Sequence, residues 1–143
     1  MMTIDRPSGI LLSDLVNRVS HGSGDTLRIM ADAQVTLQQV LLLTRLRKAG
    51  PSSASDLAEM LNLSLPAVSQ AVDRLVRLRL VTRTEDSADR RRKKIATNSK
   101  ANGLLERLTK ARASEYGAGL SRVSEESLDR LKLALWEVLQ QLS

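Results

Sequence analysis

The sequence of 143 residues contains no cysteine and a single histidine, His21. Disulfide scaffolds, thiol catalysis, thiol redox sensing and zinc sites made of cysteine and histidine are therefore excluded. No stretch approaches the roughly 20 apolar residues that a membrane-spanning helix needs, and the first residues lack the pattern of a secretory signal. We therefore expect a cytoplasmic protein with no membrane segment, no metal site and no cofactor.

Aromatic residues are almost absent too, because the chain has no phenylalanine, one tyrosine and one tryptophan against 26 leucines. A core built from such a chain is aliphatic, and the composition favours leucine-rich helices over a β-sandwich. With 42% hydrophobic and 27% charged residues, the chain has the balance of one globular domain over 1–143.

The net charge of +6 is concentrated in one part of the chain. The segment 74–100 holds ten Lys or Arg residues against three Asp or Glu, whereas the remaining residues hold 12 basic and 13 acidic side chains. A positive patch on a nearly neutral body is typical of a surface that binds a polyanion. An ordinary solvated face is the alternative interpretation.

The first part of the chain is predicted to be helical. Apolar residues recur at helical spacing over 8–19, and a short helix is expected over 26–31. Thr36 is suited to cap a helix of about 13 residues, which Gly50 and Pro51 end. The inner side of that helix is predicted to hold Leu37, Val40, Leu41, Leu43 and Thr44.

Two more helices are expected before the basic segment. Ser55 is predicted to cap a short helix that ends near Leu61. Ser64 then caps the next helix, in which Pro66 occupies the first turn, where its missing N–H has no cost. The inward positions are predicted to be Leu57, Met60 and Leu61 in the first helix and Val68, Val72, Leu75 and Val76 in the second.

A β-hairpin and two long helices complete the chain. Strands are predicted over 80–85 and 92–96, with the tip of the hairpin between them. Asn98 is expected to cap a helix that runs to about Glu115, where two glycines, Gly117 and Gly119, loosen or break it. The last helix begins after Ser124 and carries an apolar stripe.

This order of elements predicts a mainly α fold with a small β-hairpin wing, a winged helix-turn-helix. In such a fold the recognition helix presents its N-terminal residues to base edges, and small side chains allow a close approach to DNA. Gln70 is suited to an adenine edge and the Ser64 hydroxyl to a phosphate. Arg91 would enter a narrow minor groove while the Asp89 carboxylate holds its guanidinium. The candidate DNA-contacting residues are Ser64, Pro66, Ala67, Ser69, Gln70, Arg74, Arg77, Asp89, Arg90, Arg91 and Arg92.

The same residues resemble the MarR-type transcriptional regulators over about 36–142. The most specific match is the segment 83–91, in which Asp89 and Arg91 correspond to the Asp-x-Arg of the family's wing. Supporting matches are Leu-Gln-Gln-Val-Leu before Gly50, the Asp-Leu-Ala over 56–58 and the Val-Asp-Arg-Leu over 72–75.

Three positions depart from the family pattern. Arg79 stands where the family usually has a glycine, so the recognition helix is expected to end without a left-handed cap. Lys93 occupies a strand position that is usually apolar, which predicts a frayed or unusually basic strand. Ala101 replaces a glycine that is often found early in the following helix.

The resemblance implies a homodimer with a DNA-binding lobe over 36–97 and dimerisation helices over 8–31 and 98–143. It further implies a ligand-responsive repressor that binds a pseudo-palindromic operator in double-stranded DNA. The effector would be a small aromatic or anionic organic compound, with Arg28, Met30 and Arg45 as candidate contacts.

Two other functions are possible alternatives. A winged-helix module that docks protein or RNA, without an effector, would predict no preference for duplex DNA. An enzyme is disfavoured because His21, Ser23 and Asp25 share one glycine-rich loop, where neighbouring residues do not readily form a catalytic triad. No strand precedes the glycines, as a phosphate-binding loop would require.

Overall fold

A computed structural model describes residues 4–20, 24–85, 87–89 and 91–142 of the chain. Within these residues it contains seven helices and one hairpin of two antiparallel strands, so the predicted mainly α fold with a small β-hairpin is confirmed. In chain order the elements are α1 (Ser8–Val19), α2 (Asp25–Asp32), α3 (Leu37–Ala49), α4 (Ala54–Leu61), α5 (Leu65–Arg77), β1 (Val81–Glu85), β2 (Lys93–Thr97), α6 (Ser99–Gly119) and α7 (Glu125–Gln141).

The chain divides into two compact units, which we describe separately. One comprises residues 24–112 and is called the winged lobe; the predicted lobe over 36–97 falls within it. The other comprises 1–23 and 113–143 and is called the helical unit. The α6 helix contributes its first part to the winged lobe and its last part to the helical unit.

Side-chain caps define where the helices of the winged lobe begin. The predicted caps of α3 and α5 are confirmed, since the Thr36 hydroxyl accepts from the Gln39 N–H and the Ser64 hydroxyl accepts from the Ala67 N–H. The predicted cap of α4 is wrong: Ser53, and not Ser55, caps this helix. Ser53 and Asp56 form a reciprocal capping box, and this pair of bonds places the start of the helix two residues earlier.

The predicted inner face of α3 is partly wrong. Leu37 and Leu41 are 64% and 52% exposed, and Thr44 is also exposed. The buried residues of this helix are Gln39, Val40, Leu42, Leu43 and Leu46. Leucines occur on almost every side of α3, so their spacing does not select one face. Met60 in α4, predicted to point inward, is likewise 42% exposed.

Helix α5 ends in a left-handed residue despite the absence of glycine. Arg79 has φ 59°, so the prediction that the helix ends without such a cap is wrong. The N–H of Leu80 donates to the carbonyl of Leu75 at 2.9 Å, and the N–H of Arg79 donates to that of Val76 at 3.0 Å. This is the Schellman arrangement that a glycine normally completes.

The hairpin follows directly from this turn. Val81 pairs with Thr97 at its base and Glu85 with Lys93 at its outer end, so Lys93 lies in a paired strand opposite an acidic residue. The connection between α3 and α4 adds a further bridge to the hairpin. Ser52 exchanges two backbone hydrogen bonds with Ile95, at 3.0 and 2.8 Å, and so attaches β2 to the body of the lobe.

One continuous apolar core holds the winged lobe together. It combines side chains from α3, α4, α5, the hairpin and the first part of α6. All of these core residues lie within 24–112. The largest fully buried side chains are Leu42, Leu43, Leu46, Leu57, Leu75, Leu80, Leu104, Leu108, Val68 and Val72.

The helical unit is built differently. Helix α6 continues to Gly119 without a break, so the predicted end near Glu115 is wrong. At Gly119 a side chain is not tolerated, because a Cβ atom would lie 2.6 Å from the Cα atom of Val19. Val19 is the one buried apolar residue among the described residues of this unit. Its exposed apolar residues are Ile4, Ile10, Leu12, Val16, Val123, Leu133, Leu135, Trp136, Val138, Leu139 and Leu142.

Candidate nucleic-acid interface

The start of α5 carries the polar face that the sequence predicted for a recognition helix. Ser64 caps the helix with its hydroxyl 3.3 Å from the Ala67 nitrogen, and Pro66 sits in the first turn. Pro66 and Gln70 are exposed, whereas Ala67 and Ser69 are half-buried. The opposite side buries Val68, Val72 and Leu75 in the core. The small and amide side chains therefore lie on the outer face of α5, away from the core.

The two arginines at the end of α5 differ in their surroundings. The guanidinium of Arg74 donates to the carbonyl of Gln34 at 3.1 Å, which ties the helix to the turn between α2 and α3. Arg77 is exposed and lines a cleft of about 520 Å³ with Arg79, Lys100 and Arg107. The cations of this cleft suit the negative end of the α5 dipole.

The turn of the hairpin is shaped by Asp89. Its carboxylate accepts from the N–H of Arg91 at 2.9 Å, and its carbonyl accepts from the N–H of Arg92 at 3.0 Å. The contact of Asp89 is therefore to the backbone of Arg91, and the predicted contact to the guanidinium group is not the one observed. This leaves the exposed Arg91 side chain available to a partner. Arg90, another predicted contact, lies outside the described residues.

A basic notch of about 390 Å³ joins the hairpin to the two helices before it. It brings Ser69 of α5 together with Arg91 and Arg92, three residues that the sequence predicted from separate motifs. Ser53 and Ser55 border it from the start of α4, and Arg83 and Lys93 border it from the hairpin. Hydroxyl donors and guanidinium groups are the side chains that contact phosphate and sugar in DNA complexes.

Two electrostatic contacts fix the notch. Asp73 of α5 forms an ion pair with Arg83 of β1, which connects the recognition helix to the hairpin. The N–H and hydroxyl of Ser53 bond to Asp56 and, together with the nearby charges of Arg92 and Lys94, hold the pKa of that carboxyl below its ordinary value. The Asp56 carboxylate at the start of α4 and the hairpin cations Arg92 and Lys94 therefore attract each other.

Sequence reasoning missed several of the residues that border the notch. Arg83, Lys93 and Ser53 were not among the predicted contacts. Arg83 and Asp73 have opposite charges and could have been paired on that ground. No pattern in the sequence, however, shows which residue of a helix faces which residue of the following strand. For Ser53, the acidic residue three positions later was a detectable capping-box signature.

The residues predicted for an effector lie on α2 and α3, and none of them lines the 520 Å³ cleft. Arg28 is exposed and its guanidinium donates to Asp25 at 2.9 Å. Met30 is half-buried against the core of the lobe, and Arg45 is exposed on α3. The 520 Å³ cleft has a different lining, which from α2 includes Ile29 and Asp32.

The described part of the chain lacks the features of a membrane-spanning helix and of a metal site. No helix there is long and apolar enough to cross a bilayer. Across residues 4–20, 24–85, 87–89 and 91–142, no three histidine, aspartate or glutamate side chains come together as a metal site would require.

Comparison with known proteins points to one family. A model described as the MarR family matches residues 33–92. The HTH-type transcriptional repressor MdtR of Bacillus subtilis is 28% identical over 104 residues, which cover 73% of this chain and 67% of MdtR. Both matches include α5 and part of the hairpin, the elements that form the notch.

Solved structures share the fold. The transcriptional regulator Tm0710 from Thermotoga maritima matches with a TM-score of 0.76 and 22% identity, covering 94% of this chain and 92% of that one. A variant of S. aureus MepR bound to an oligodeoxyribonucleotide matches with a TM-score of 0.66 and 23% identity, covering 94% of each chain. At these identities the likeness concerns the fold, and it extends over both units of the chain.

Proposed function

We propose that the chain is a winged helix-turn-helix regulator of the MarR family, and on this premise that it is a dimeric, ligand-responsive repressor of transcription. On the same premise it is a transcription regulator and not an enzyme. The proposal adds that it binds sequence-specifically to a pseudo-palindromic operator in double-stranded DNA, in the cytoplasm. The repressor name of MdtR and the oligonucleotide bound to the MepR variant support the direction of this proposal.

The observation that carries the proposal is the basic notch between α5 and the hairpin. A polar helix face meets cations from a neighbouring hairpin there, which suits a duplex whose bases lie in a groove between two phosphate backbones. Pro66, Ala67, Ser69 and Gln70 would read base edges, while the arginines would bind phosphates or enter the minor groove.

Dimerisation is supported by the apolar surface of the helical unit. Soluble monomers rarely leave large contiguous apolar patches exposed, and a second copy of the same helices is the simplest cover for this surface. Leu135, Trp136 and Leu139 are all more than two-fifths exposed on α7. Two lobes in one dimer would reach successive major grooves, about 34 Å apart.

The effector is proposed to be a small aromatic or anionic organic compound. Its binding would change the spacing of the two lobes, so that they no longer match successive grooves and the operator is released. Arg28 and Arg45 would supply the counter-charge to an anionic effector, and Met30 an apolar contact. A thermal-shift screen of small carboxylates and aromatic compounds tests this, with operator release by the stabilising compounds as the expected result.

The central experiment measures duplex binding across a salt series. A duplex is first selected from a random-sequence pool, and its affinity is then followed by fluorescence anisotropy. If each dimer neutralises about 6 to 10 phosphates, log affinity falls with log salt at a slope of about −5 to −9. An affinity for the duplex that does not change with salt would contradict the proposal and favour a winged-helix docking module. Binding of protein or RNA as tight as that of the duplex would do the same.

The wing is tested by Arg91→Ala. Since the exposed Arg91 side chain is proposed to contact DNA, we expect the operator dissociation constant to rise about tenfold, with the dimer intact. The matched control is Arg122→Ala, which removes the same charge from an exposed position in the helical unit. Equal effects of the two substitutions on affinity would remove the wing from the interface.

A further inference from the structure

The end of α5 is tied to the start of α6 by two side chains. The Asn98 carboxamide nitrogen donates to the carbonyl of Arg79 at 2.7 Å, and the Lys100 ammonium donates to the carbonyl of Leu78 at 2.9 Å. The partners are 19 and 22 residues apart in the chain. The whole hairpin lies between them in the sequence, so the two bonds close its base.

Asn98 contributes both ends of its carboxamide. Its oxygen accepts from the N–H of Ala101 at 3.0 Å and caps α6, while its nitrogen holds the Arg79 carbonyl. Because the oxygen and nitrogen belong to one planar group, the two bonds orient each other. The last turn of the recognition helix and the first turn of α6 therefore share one hydrogen-bonded connection.

The residue that is held is also the strained one. Arg79 has φ 59°, a conformation that residues with a Cβ atom adopt at a cost. Such a residue persists only where the surrounding structure fixes it. Here the backbone bonds of Arg79 and Leu80 fix the turn from one side, and Asn98 fixes it from the other.

This turn sets where the hairpin leaves the lobe. Strand β1 begins two residues after Arg79, and β2 ends at Thr97, next to Asn98. Val81 and Thr97 form the first pair of residues in the β-ladder, and this pair lies next to the hydrogen bond between Asn98 and Arg79. A rotation at Arg79 would therefore move the base of the hairpin relative to α5, and with it the wing.

We propose that Asn98 is a positioning residue for DNA recognition, which holds α5 and the hairpin in the one relative orientation that fits a duplex. Asn98 does this through the Arg79 carbonyl and without touching DNA, and Lys100 reinforces it at Leu78. The proposal rests on the proposed DNA-binding function. It concerns how the two DNA-reading elements are held, and not which bases they read.

Asn98→Ser separates this role from helix capping. Serine is as good a helix cap as asparagine and carries no charge, but its short hydroxyl does not reach the Arg79 carbonyl. We expect the dissociation constant for the selected duplex to rise about fivefold, within the range of one lost hydrogen bond. We further expect faster amide hydrogen exchange at 78–82, with an unchanged midpoint of unfolding.

Two controls sharpen the measurement. Lys100→Met and Lys110→Met remove the same charge from exposed positions of α6, but only the first removes a bond to the turn, so only the first is expected to accelerate exchange at 78–82. In a chain carrying Arg79→Gly, the turn is no longer strained. The effect of Asn98→Ser on affinity should then shrink to less than about twofold, as a double-mutant cycle reveals.

The outcomes are distinct. If the parent protein binds no duplex, the proposed function is contradicted. Amide hydrogen exchange at 78–82 in the free protein still decides whether Asn98 holds the turn at Arg79. Unchanged affinity and unchanged exchange in Asn98→Ser overturn the positioning role. The same conclusion follows if exchange accelerates throughout the lobe together with a lower midpoint of unfolding, or if Arg79→Gly leaves the effect of Asn98→Ser at full size.

Discussion

The winged lobe and the helical unit use the same kinds of residue in opposite ways. In the lobe, leucines and valines from five elements cover one another, and side chains such as Leu57 and Leu75 have no exposed surface. In the described residues of the helical unit, Val19 alone is a buried apolar residue, while most of the apolar stripe of α7 is exposed. The lobe has a complete core, whereas the large apolar residues described in the helical unit are mostly exposed.

Helix formation and core formation are therefore separate problems in this chain. Helices α6 and α7 have sound caps at Asn98 and Ser124, so their local structure is as well specified as that of the lobe. What distinguishes the described residues of the helical unit is that most of their large apolar side chains are exposed. Its stability is therefore expected to depend on protein concentration, whereas that of the lobe is a property of the single chain.

The largest effect is expected when a charge replaces an exposed leucine, one in each unit. Leu139→Glu changes a residue of α7 that is 62% exposed, and Leu37→Glu changes a residue of α3 that is 64% exposed. If a second copy covers α7, the first substitution buries a charge and raises the dimer dissociation constant by at least about 100-fold. Analytical ultracentrifugation over a range of concentrations measures it.

Leu37→Glu is the control for that experiment. A glutamate in the first turn of α3 suits the helix dipole, and the side chain remains in water, so we expect the dimer constant to change by less than about threefold. Equal losses from both substitutions, or none from either, would mean that the exposure of α7 has no connection with dimerisation.

A substitution in the capping box of α4 tests whether the stability of the winged lobe is independent of protein concentration. Ser53→Ala removes one side-chain acceptor from the start of α4, and we expect the free energy of unfolding to fall by about 1 kcal/mol. Chemical denaturation followed by circular dichroism measures it. Because the bond lies within one lobe, the difference from the parent should not vary with protein concentration; a difference that grows on dilution would show that the lobe also depends on dimerisation.

Low pH should also weaken the capping box formed by Ser53 and Asp56. The pKa of Asp56 is lowered mainly by its hydrogen bonds from Ser53, so the folded state favours the ionised carboxylate. This contribution to stability is present above the unfolded pKa, about 3.9, and is lost as pH falls through the lowered folded value. Asp56→Asn lacks the titrating group, so its stability should fall less than that of the parent over this window.

Signals between close neighbours in the sequence predicted most of the fold. The caps Thr36 and Ser64, the stop at Gly50 and the hairpin depend on residues a few positions apart, and each was found in its predicted place. The basic wing was visible because its charges are consecutive. The set of DNA contacts remains a prediction, although the structure brings several members of it into one notch.

Features decided by distant partners were not predictable in the same way. Which leucines of α3 point inward depends on where α4 and β2 pack against it, and leucines occur on almost every side of the helix, so their spacing does not select the inner face. The left-handed turn at Arg79 is held in part by Asn98, whose bond spans the hairpin. The sequence therefore suggested that a missing glycine would remove this turn, whereas a side chain 19 residues away helps to preserve it.

The smallest expected effect is a gain in stability from Arg79→Gly. Glycine relieves the left-handed strain, about 1–2 kcal/mol, but adds freedom to the unfolded chain, which costs about 0.4–1 kcal/mol. The net result is a lobe more stable by about 0.5–1 kcal/mol, measured by denaturation at several protein concentrations. Arg107→Gly removes the same charge from the interior of α6, where glycine lacks this advantage, so it should destabilise by about 1 kcal/mol. Neither change in stability should vary with protein concentration, on which the helical unit is expected to depend. A gain from Arg79→Gly together with a loss from Arg107→Gly would therefore place the strain in the winged lobe.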